Sequence, residues 1–183
     1  SDMVEGKLKC LKKLTLSLGV QIKIIQSNSI ELLDLRDDAM IRKETLLLCP
    51  GLKRLKINID MHSFSEYKYF LQKCSLSLVE IEITLCYKFG QSNGDLNTAG
   101  TIHESEESSF QSLSQVIQAM PRLKVIVIIA SDRSSSEVII TSNSIEEINM
   151  SRGGLHSVKC NCPSLKVFVL ASGRISSQFL KNI

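Results

Sequence analysis

The chain has 183 residues, of which 43% are hydrophobic and only 5% are aromatic, with no tryptophan. This length suffices for one domain with a sizeable core, and that core must be built from aliphatic side chains. A net charge of +3 lacks the basic excess of nucleic-acid binders, and the chain has no apolar run long enough to span a membrane, so we expect neither nucleic acid nor membrane as a partner.

The motif Leu-x-x-Leu-x-Leu, or a close apolar variant, occurs seven times along the chain. The copies are Leu11-Leu14-Leu16, Ile30-Leu33-Leu35, Leu52-Leu55-Ile57, Leu78-Ile81-Ile83, Leu123-Ile126-Ile128, Ile145-Ile148-Met150 and Leu165-Phe168-Leu170. Successive copies start 19, 22, 26, 45, 22 and 20 residues apart, so the fourth step has room for an insertion. Recurrence at such a period predicts a stack of similar units that bury their apolar faces against one another.

Within each copy the last two apolar residues alternate with other residues, which is typical of a strand with one buried face. Stacked side by side, the seven strands should form a parallel sheet. The segments that return the chain to the next strand then cover the other side of the core.

The return segments are of two kinds. Apolar residues at helical spacing predict helices in 37–49, 60–74 and 109–120. Short alternating or β-branched stretches predict extended returns in 21–25, 137–141 and 155–160, some of which should pair into a small second sheet. Residues 90–109 are dominated by Gly, Ser, Asn and acids, and predict a long exposed polar loop that accounts for the 45-residue step.

Proline stands just before three of the strands, as Pro50, Pro121 and Pro163, where it ends the return segment without interrupting a sheet ladder. Two other junctions carry the identical tetrapeptide Ser-Asn-Ser-Ile at 27–30 and 142–145. This sequence suits a turn closed by side-chain hydrogen bonds to the backbone.

Four of the six cysteines, Cys10, Cys49, Cys74 and Cys162, lie one to four residues before the first apolar residue of a motif. Such periodic placement favours small, buried, free thiols, and hence a reducing, cytoplasmic (intracellular) location. A secreted disulfide framework is the alternative interpretation.

The Cys-Pro-x-Leu junctions followed by x-x-Leu-x-Leu resemble leucine-rich repeats, particularly the cysteine-containing repeats of F-box substrate receptors, and also those of plant immune receptors and bacterial effectors. The resemblance covers Leu8 to about Leu180. It implies an α/β leucine-rich-repeat solenoid, an irregular horseshoe with a parallel sheet on one face and mixed helical and extended returns on the other. Residues 1–183 would form a single domain of about seven repeats, with the polar insertion at 90–109. Because Ser1-Asp2 before Met3 suggests a cloning remnant, this domain is expected to belong to a longer protein.

If the motif residues point into the core, the residues between them point outward from the sheet. The outward positions of two strands are aliphatic, namely Val125, Val127, Ile129 and Val167, Val169. Exposed, they would mark a partner site; the alternative is that the 90–109 loop or a missing neighbouring domain covers them.

The remaining outward positions that we include in the candidate site are charged, namely Arg54, Lys56, Glu80, Glu82 and Glu147. The first four either steer a charged partner or neutralise one another across adjacent strands, and the second interpretation is favoured.

The sequence offers little for catalysis. His62, His103 and His156 have no nucleophile and acid at a recognisable spacing, and His156 with Cys160 and Cys162 falls short of four metal ligands. We therefore expect no enzyme, no metal and no cofactor. The predicted function is a protein–protein interaction module, monomeric or part of a larger assembly. The alternative is the substrate-recognition part of a larger ubiquitin ligase or secreted effector whose catalytic or adaptor domain lies outside this chain.

Overall fold

The computed structural model describes residues 11–16, 24–36, 46–61, 64–86, 106–130, 137–151 and 157–171. The strands are β1 (Lys13–Thr15), β2 (Ile24–Gln26), β3 (Leu32–Leu35), β4 (Leu46–Leu48), β5 (Arg54–Asp60), β6 (Glu80–Cys86), β7 (Val125–Ala130), β8 (Glu137–Thr141), β9 (Glu147–Ser151), β10 (Ser157–Asn161) and β11 (Val167–Leu170). The helices are α1 (Phe64–Cys74) and α2 (Glu106–Gln118). Neither helix is long and apolar enough to cross a membrane.

Seven strands form one parallel sheet in the order β1-β3-β5-β6-β7-β9-β11, so each strand lies beside the next one of its kind in the sequence. Each of the seven apolar motifs contributes one of these strands. The α/β class and the parallel sheet predicted from the motif spacing are therefore confirmed.

Alternation along the strands places their apolar side chains on one side of this sheet. In β5, β6 and β7 every second residue is buried, and the residues between them are partly or fully exposed. The register aligns the buried residues into rows that run across the sheet, such as Leu55, Ile81, Ile126 and Ile148. Burying one such side chain contributes about 2 kcal/mol, so these rows supply much of the stability.

A second layer covers the buried side of the sheet. It contains the two-stranded parallel sheet β2-β4, the helices α1 and α2, and the two-stranded parallel sheet β8-β10. These elements contact one another in chain order, β4 with α1, α1 with α2, and α2 with β8. Both layers contribute to one continuous apolar core. The small second sheet expected from the extended returns is present as β8-β10, while β2-β4 includes a strand from a segment that was predicted as a helix.

The helices follow from their apolar spacing. In α1, Phe64, Phe70, Leu71 and Cys74 are buried along one stripe, Glu66 lies in the first turn and Lys73 in the last, as the helix dipole favours. Beyond its end, the hydroxyls of Ser75 and Ser77 donate to the carbonyls of Gln72 and Cys74 at 2.8 and 3.2 Å. These bonds satisfy carbonyls that the helix itself leaves unpaired.

Three of the predicted return helices differ from the structure, one in its type and two in where they begin. The segment 37–49, predicted as a helix, contains strand β4, and residues 37–45 lie outside the described part of the chain. Helix α1 begins at Phe64, because Asp60 still belongs to β5. Helix α2 begins at Glu106, so the last residues of the predicted 90–109 loop are helical, while 90–105 lie outside the described residues. In α2 the serine hydroxyl of Ser109 is buried and donates to the Met61 carbonyl at 2.8 Å, a tertiary bond that the polar composition did not predict.

Near its start, each strand of the seven-stranded sheet is joined to the following strand of that sheet by the same main-chain contact. The carbonyl of Lys12 accepts the N–H groups of both Glu31 and Leu32, and the carbonyl of Glu31 accepts those of Lys53 and Arg54. The carbonyls of Lys53, Val79, Lys124 and Glu146 repeat the arrangement, each accepting two N–H groups from the following unit. We refer to this series as the carbonyl ladder.

Before the strands, the predicted turns are present. At each proline junction the N–H of the first motif residue donates to the carbonyl three residues earlier: Leu52 to Cys49, Leu123 to Met120, and Leu165 to Cys162. Proline thus occupies the second position of a turn, where its fixed φ is favourable. At the Ser-Asn-Ser-Ile junctions, the hydroxyls of Ser27 and Ser142 each accept the N–H of the serine two residues later at 3.2 Å.

Candidate partner-binding face

The side of the seven-stranded sheet turned away from the core is here called the outer face. Its first row, read across the sheet by register, is Lys13, Leu32, Arg54, Glu80, Val125, Glu147, Val167. Its second row is Thr15, Asp34, Lys56, Glu82, Val127, Asn149, Val169. All residues of the sequence-predicted site lie on this face, and Ile129 stands in a third row beside Thr84 and Ser151.

The aliphatic residues of the outer face differ in exposure according to strand position. Val125, Val127 and Ile129 are half-buried, because β7 lies between two other strands of the sheet, β6 and β9. Val167 and Val169 are 43% and 46% exposed on β11, which stands at the end of the sheet order. Two apolar columns thus flank the more polar column of β9 on one surface.

One expected outward strand is not solvent-facing. Leu32 and Asp34 of β3 are only 8% and 5% exposed. Arg36 covers Asp34 with two hydrogen bonds of 2.9 Å, from Nε and Nη2 to the two carboxylate oxygens. The Arg36 guanidinium therefore holds the pKa of Asp34 below its usual value, against the opposing effect of burial.

A charge network occupies the second row next to Asp34. Lys56 Nζ lies 2.6 Å from Glu82 Oε2, and Arg36 Nη1 lies 2.9 Å from Glu82 Oε1. Asn58 adds a hydrogen bond from its side-chain amide to the Arg36 carbonyl. For Lys56 and Glu82, the structure agrees with mutual neutralisation rather than with a free charge offered to a partner.

The first row behaves differently. Arg54 and Glu80 are direct register partners, but within the described residues no ion pair of 4 Å or less joins Glu80 to a lysine or arginine. Glu147 accepts a 2.6 Å hydrogen bond from Asn149 Nδ2 on Oε1, and it also has no cation at ion-pair distance within the described ranges. Glu80 and Glu147 lie on either side of Val125.

At the beginning of the strands, two similar ion triads follow the carbonyl ladder. Glu31 lies 2.7 Å from Lys12 and 3.3 Å from Lys53. Glu146 pairs with Lys124 and lies 2.7 Å from Lys166. The hydrogen bonds from the two lysines hold the pKa of Glu146 down, to about 2. These exposed triads join neighbouring strands, and the apolar motif pattern does not predict them.

The cysteines of the two Cys-Pro junctions occupy equivalent places. Cys49 donates its S–H to the Ile25 carbonyl at 3.8 Å, and Cys162 donates to the Ile140 carbonyl at 3.7 Å. Cys49 is buried, whereas Cys162 is half-buried. The thiols of Cys49, Cys74, Cys160 and Cys162 are free, and of these Cys49 and Cys74 are buried as expected.

Cys160 and Cys162 differ from the other cysteines because they contact each other. A side-chain hydrogen bond between the two thiols lowers the pKa of Cys162 and raises that of Cys160. In the equivalent Cys49 junction, Leu47 stands where Cys160 stands here, in the same register with its partner strand.

No group of three or more metal-binding side chains occurs within the described ranges, and His62, His103 and His156 lie outside them. Sequence reasoning also missed several exposed apolar residues of the second layer, namely Leu48, Tyr69, Leu76 and Ile139. Of these, Leu76 is 72% exposed in the turn after α1, where no periodic pattern marks it. Comparison with protein-family models, with curated protein sequences and with solved structures gives no match for this chain.

Proposed function

We propose that this chain is a leucine-rich-repeat solenoid and that it acts as a non-enzymatic protein-interaction module. The partner binds on the outer face, centred on the two apolar columns Val125, Val127, Ile129 and Val167, Val169. The observation that carries the proposal is the exposure of Val167 and Val169, 43% and 46%, on the same surface as the β7 column. Exposed aliphatic side chains gathered on one sheet surface are typical of protein-binding sites.

The regular strand register supports an extended binding surface. Because each unit adds one strand in the same direction, side chains from β6, β7, β9 and β11 form columns at a fixed spacing of about 4.8 Å. A partner can therefore contact several units at once without any of them moving. The ion pairs of Glu82 with Lys56 and Arg36 occupy the neighbouring part of the surface and leave the β7 and β11 columns as its apolar part.

The test compares two double variants with the wild-type chain. Val167→Glu/Val169→Glu places two charges on the proposed site at positions that are already exposed, so we expect the fold to persist. Ile139→Glu/Leu48→Glu makes the same change at residues 42% and 43% exposed in the second layer. Circular dichroism and thermal unfolding would establish that all three proteins are folded.

Each folded protein would then serve as bait for quantitative crosslinking in cell extract, with identification of the crosslinked residues. The proposal expects a partner whose crosslinks map to the outer face, lost from the Val167/Val169 variant and retained by the second-layer variant. Equal recovery by all three baits, or loss only from the second-layer variant, would contradict the proposed site.

A further inference from the structure

Six acidic residues, on the outer face or just before its strands, fall into two groups by their contacts. Asp34, Glu82, Glu31 and Glu146 each lie within ion-pair distance of at least one lysine or arginine. Glu80 and Glu147 have no such cation among the described residues, although Arg54 is the register partner of Glu80. These two carboxylates without a cation lie on either side of the β7 apolar column.

The geometry of this pair is suited to a cation. Glu80 of β6 and Glu147 of β9 are both in the first row, separated only by Val125 of β7. Two strand spacings put their backbones about 10 Å apart. Asn149 occupies Oε1 of Glu147 and leaves Oε2 available. A basic side chain lying over Val125 would be attracted by both carboxylates, while its methylenes would cover the valine.

From these contacts we infer that the partner segment carries a lysine or arginine seated over Val125 between Glu80 and Glu147, flanked by apolar side chains that pack on Val127 and Val169. This inference rests on the proposed function and names the chemistry of the partner. Apolar contacts supply most of the affinity, and the basic residue fixes the register of the segment on the sheet.

Charge also argues against the chain's own polar loop as the occupant. Residues 90–105, which precede α2, contain no lysine or arginine and carry two acids, Asp95 and Glu104. Bringing such a segment over Glu80 and Glu147 would place like charges together, which is unfavourable. A basic and apolar segment has the opposite balance.

The experiment selects binders from a displayed library of random linear peptides on the immobilised wild-type chain. Selection is repeated on Glu80→Gln/Glu147→Gln, which keeps side-chain shape and removes both charges, and on Val167→Glu/Val169→Glu. Glu66→Gln serves as the control, because Glu66 is an exposed acid on α1.

We expect wild-type and Glu66→Gln selections to share peptides with Lys or Arg between apolar residues. The Glu80→Gln/Glu147→Gln selection should lose the basic preference, and a chosen peptide should bind that variant roughly tenfold more weakly by calorimetry. Raising the NaCl concentration from about 0.05 M to about 0.5 M should weaken binding of the peptide to the wild-type chain, because the electrostatic screening length shortens roughly threefold.

Other outcomes separate the inference from the proposed function. Peptides that require the valines but show no basic preference, or that bind the Glu80→Gln/Glu147→Gln variant equally well, would overturn the inference and leave the proposed function standing. Peptides that bind without the valines, or no binders at all, would contradict both. A valine-dependent dimer of the chain in light scattering would identify a second copy as the occupant and overturn the inference.

Discussion

Lys56 Nζ lies 2.6 Å from Oε2 of Glu82, its register partner on the adjacent strand. The other carboxylate oxygen of Glu82 lies 2.9 Å from Arg36, which follows β3 and reaches across β5. With its side chain only 12% exposed, Glu82 has both oxygens paired. This part of the outer face is therefore neutralised internally, whereas the first-row carboxylates are not.

A double-mutant cycle should measure the Lys56–Glu82 pair. Combining Lys56→Met with Glu82→Gln, we expect a coupling free energy of about 1 kcal/mol, because the pair is partly shielded from water. The matched cycle Arg54→Met with Glu80→Gln should give a coupling near zero, since those register partners form no ion pair. Urea unfolding of the single and double variants measures both cycles. Equal couplings would contradict the assigned contacts.

Acidification should destabilise the chain from about pH 4.5 down to about pH 2. Glu146 and Glu31 have a pKa below the ordinary 4.5 because of their lysines, and Asp34 has a pKa below the ordinary 3.8 because of Arg36. A carboxyl with a lowered folded-state pKa stabilises the fold above its unfolded pKa, and this stabilisation is lost as pH falls through the folded pKa.

Thermal unfolding across this pH range checks the prediction. The variant Asp34→Asn/Glu146→Gln should start from a lower melting temperature and lose less of it on acidification than the wild type. A parallel decline in both proteins would show that these carboxyls do not cause the acid sensitivity.

The two Ser-Asn-Ser-Ile turns allow an internal comparison. Ser27→Ala and Ser142→Ala each remove the acceptor of a 3.2 Å bond from the serine N–H two residues later. We expect each to lower the free energy of unfolding by about 1 kcal/mol. Ser142 is the more buried of the two, so its substitution should cost at least as much. Denaturant unfolding measures both, and two neutral substitutions would argue against the turn bonds.

The loss in free energy of unfolding caused by a core substitution should depend on the position of its strand in the sheet. Ile128 of β7 is fully buried, and Ile128→Ala should cost about 3–4 kcal/mol from lost burial and the cavity left behind. Phe168 of β11 is only half-buried, so Phe168→Ala should cost less, although phenylalanine is larger. Denaturant unfolding would compare them. A larger loss at Phe168 would mean that β11 is covered in solution.

Among Cys49, Cys74, Cys160 and Cys162, the thiol of Cys162 should react fastest. The hydrogen bond between Cys160 and Cys162 lowers the pKa of Cys162, whereas burial raises the pKa of Cys49 and of Cys74. The thiolate is the reactive form, so iodoacetamide near neutral pH should label Cys162 fastest. Cys160→Ala removes this hydrogen bond and should slow that labelling, while Cys160→Ser keeps a hydroxyl in its place. Peptide mapping by mass spectrometry gives the rates; faster labelling of Cys49 would contradict the order.

The strands could be predicted from sequence because their information is local. In Leu55-Lys56-Ile57, and at the same place in the other motifs, alternation identifies both the strand and its buried side. The segment containing Leu46–Leu48 could not be assigned in the same way, since a short apolar run suits a buried helix as well as a strand. What makes it a strand is its pairing with β2, a contact between segments about twenty residues apart.

The candidate site was predictable only in part. Alternation identified the outward positions, including Val167 and Val169, whose exposure the structure shows. It did not distinguish Glu82 from Glu80, which share a strand and a side chain type. The difference depends on the reach of Arg36 across an intervening strand, and no local pattern encodes that reach.

The carbonyl oxygen that joins one unit to the next in the carbonyl ladder belongs to the peptide backbone, and the residues that supply it include lysine, glutamate and valine. The main-chain contact therefore forms with lysine, glutamate or valine at that position, and the ion triads of Glu31 and Glu146 add side-chain contacts to it. Substitutions that change the side chains of the outer face need not disturb the main-chain contacts between units. The surface chemistry can therefore change while the packing of the units stays the same. A chain built in this way can acquire a new recognition surface one unit at a time while keeping the same framework.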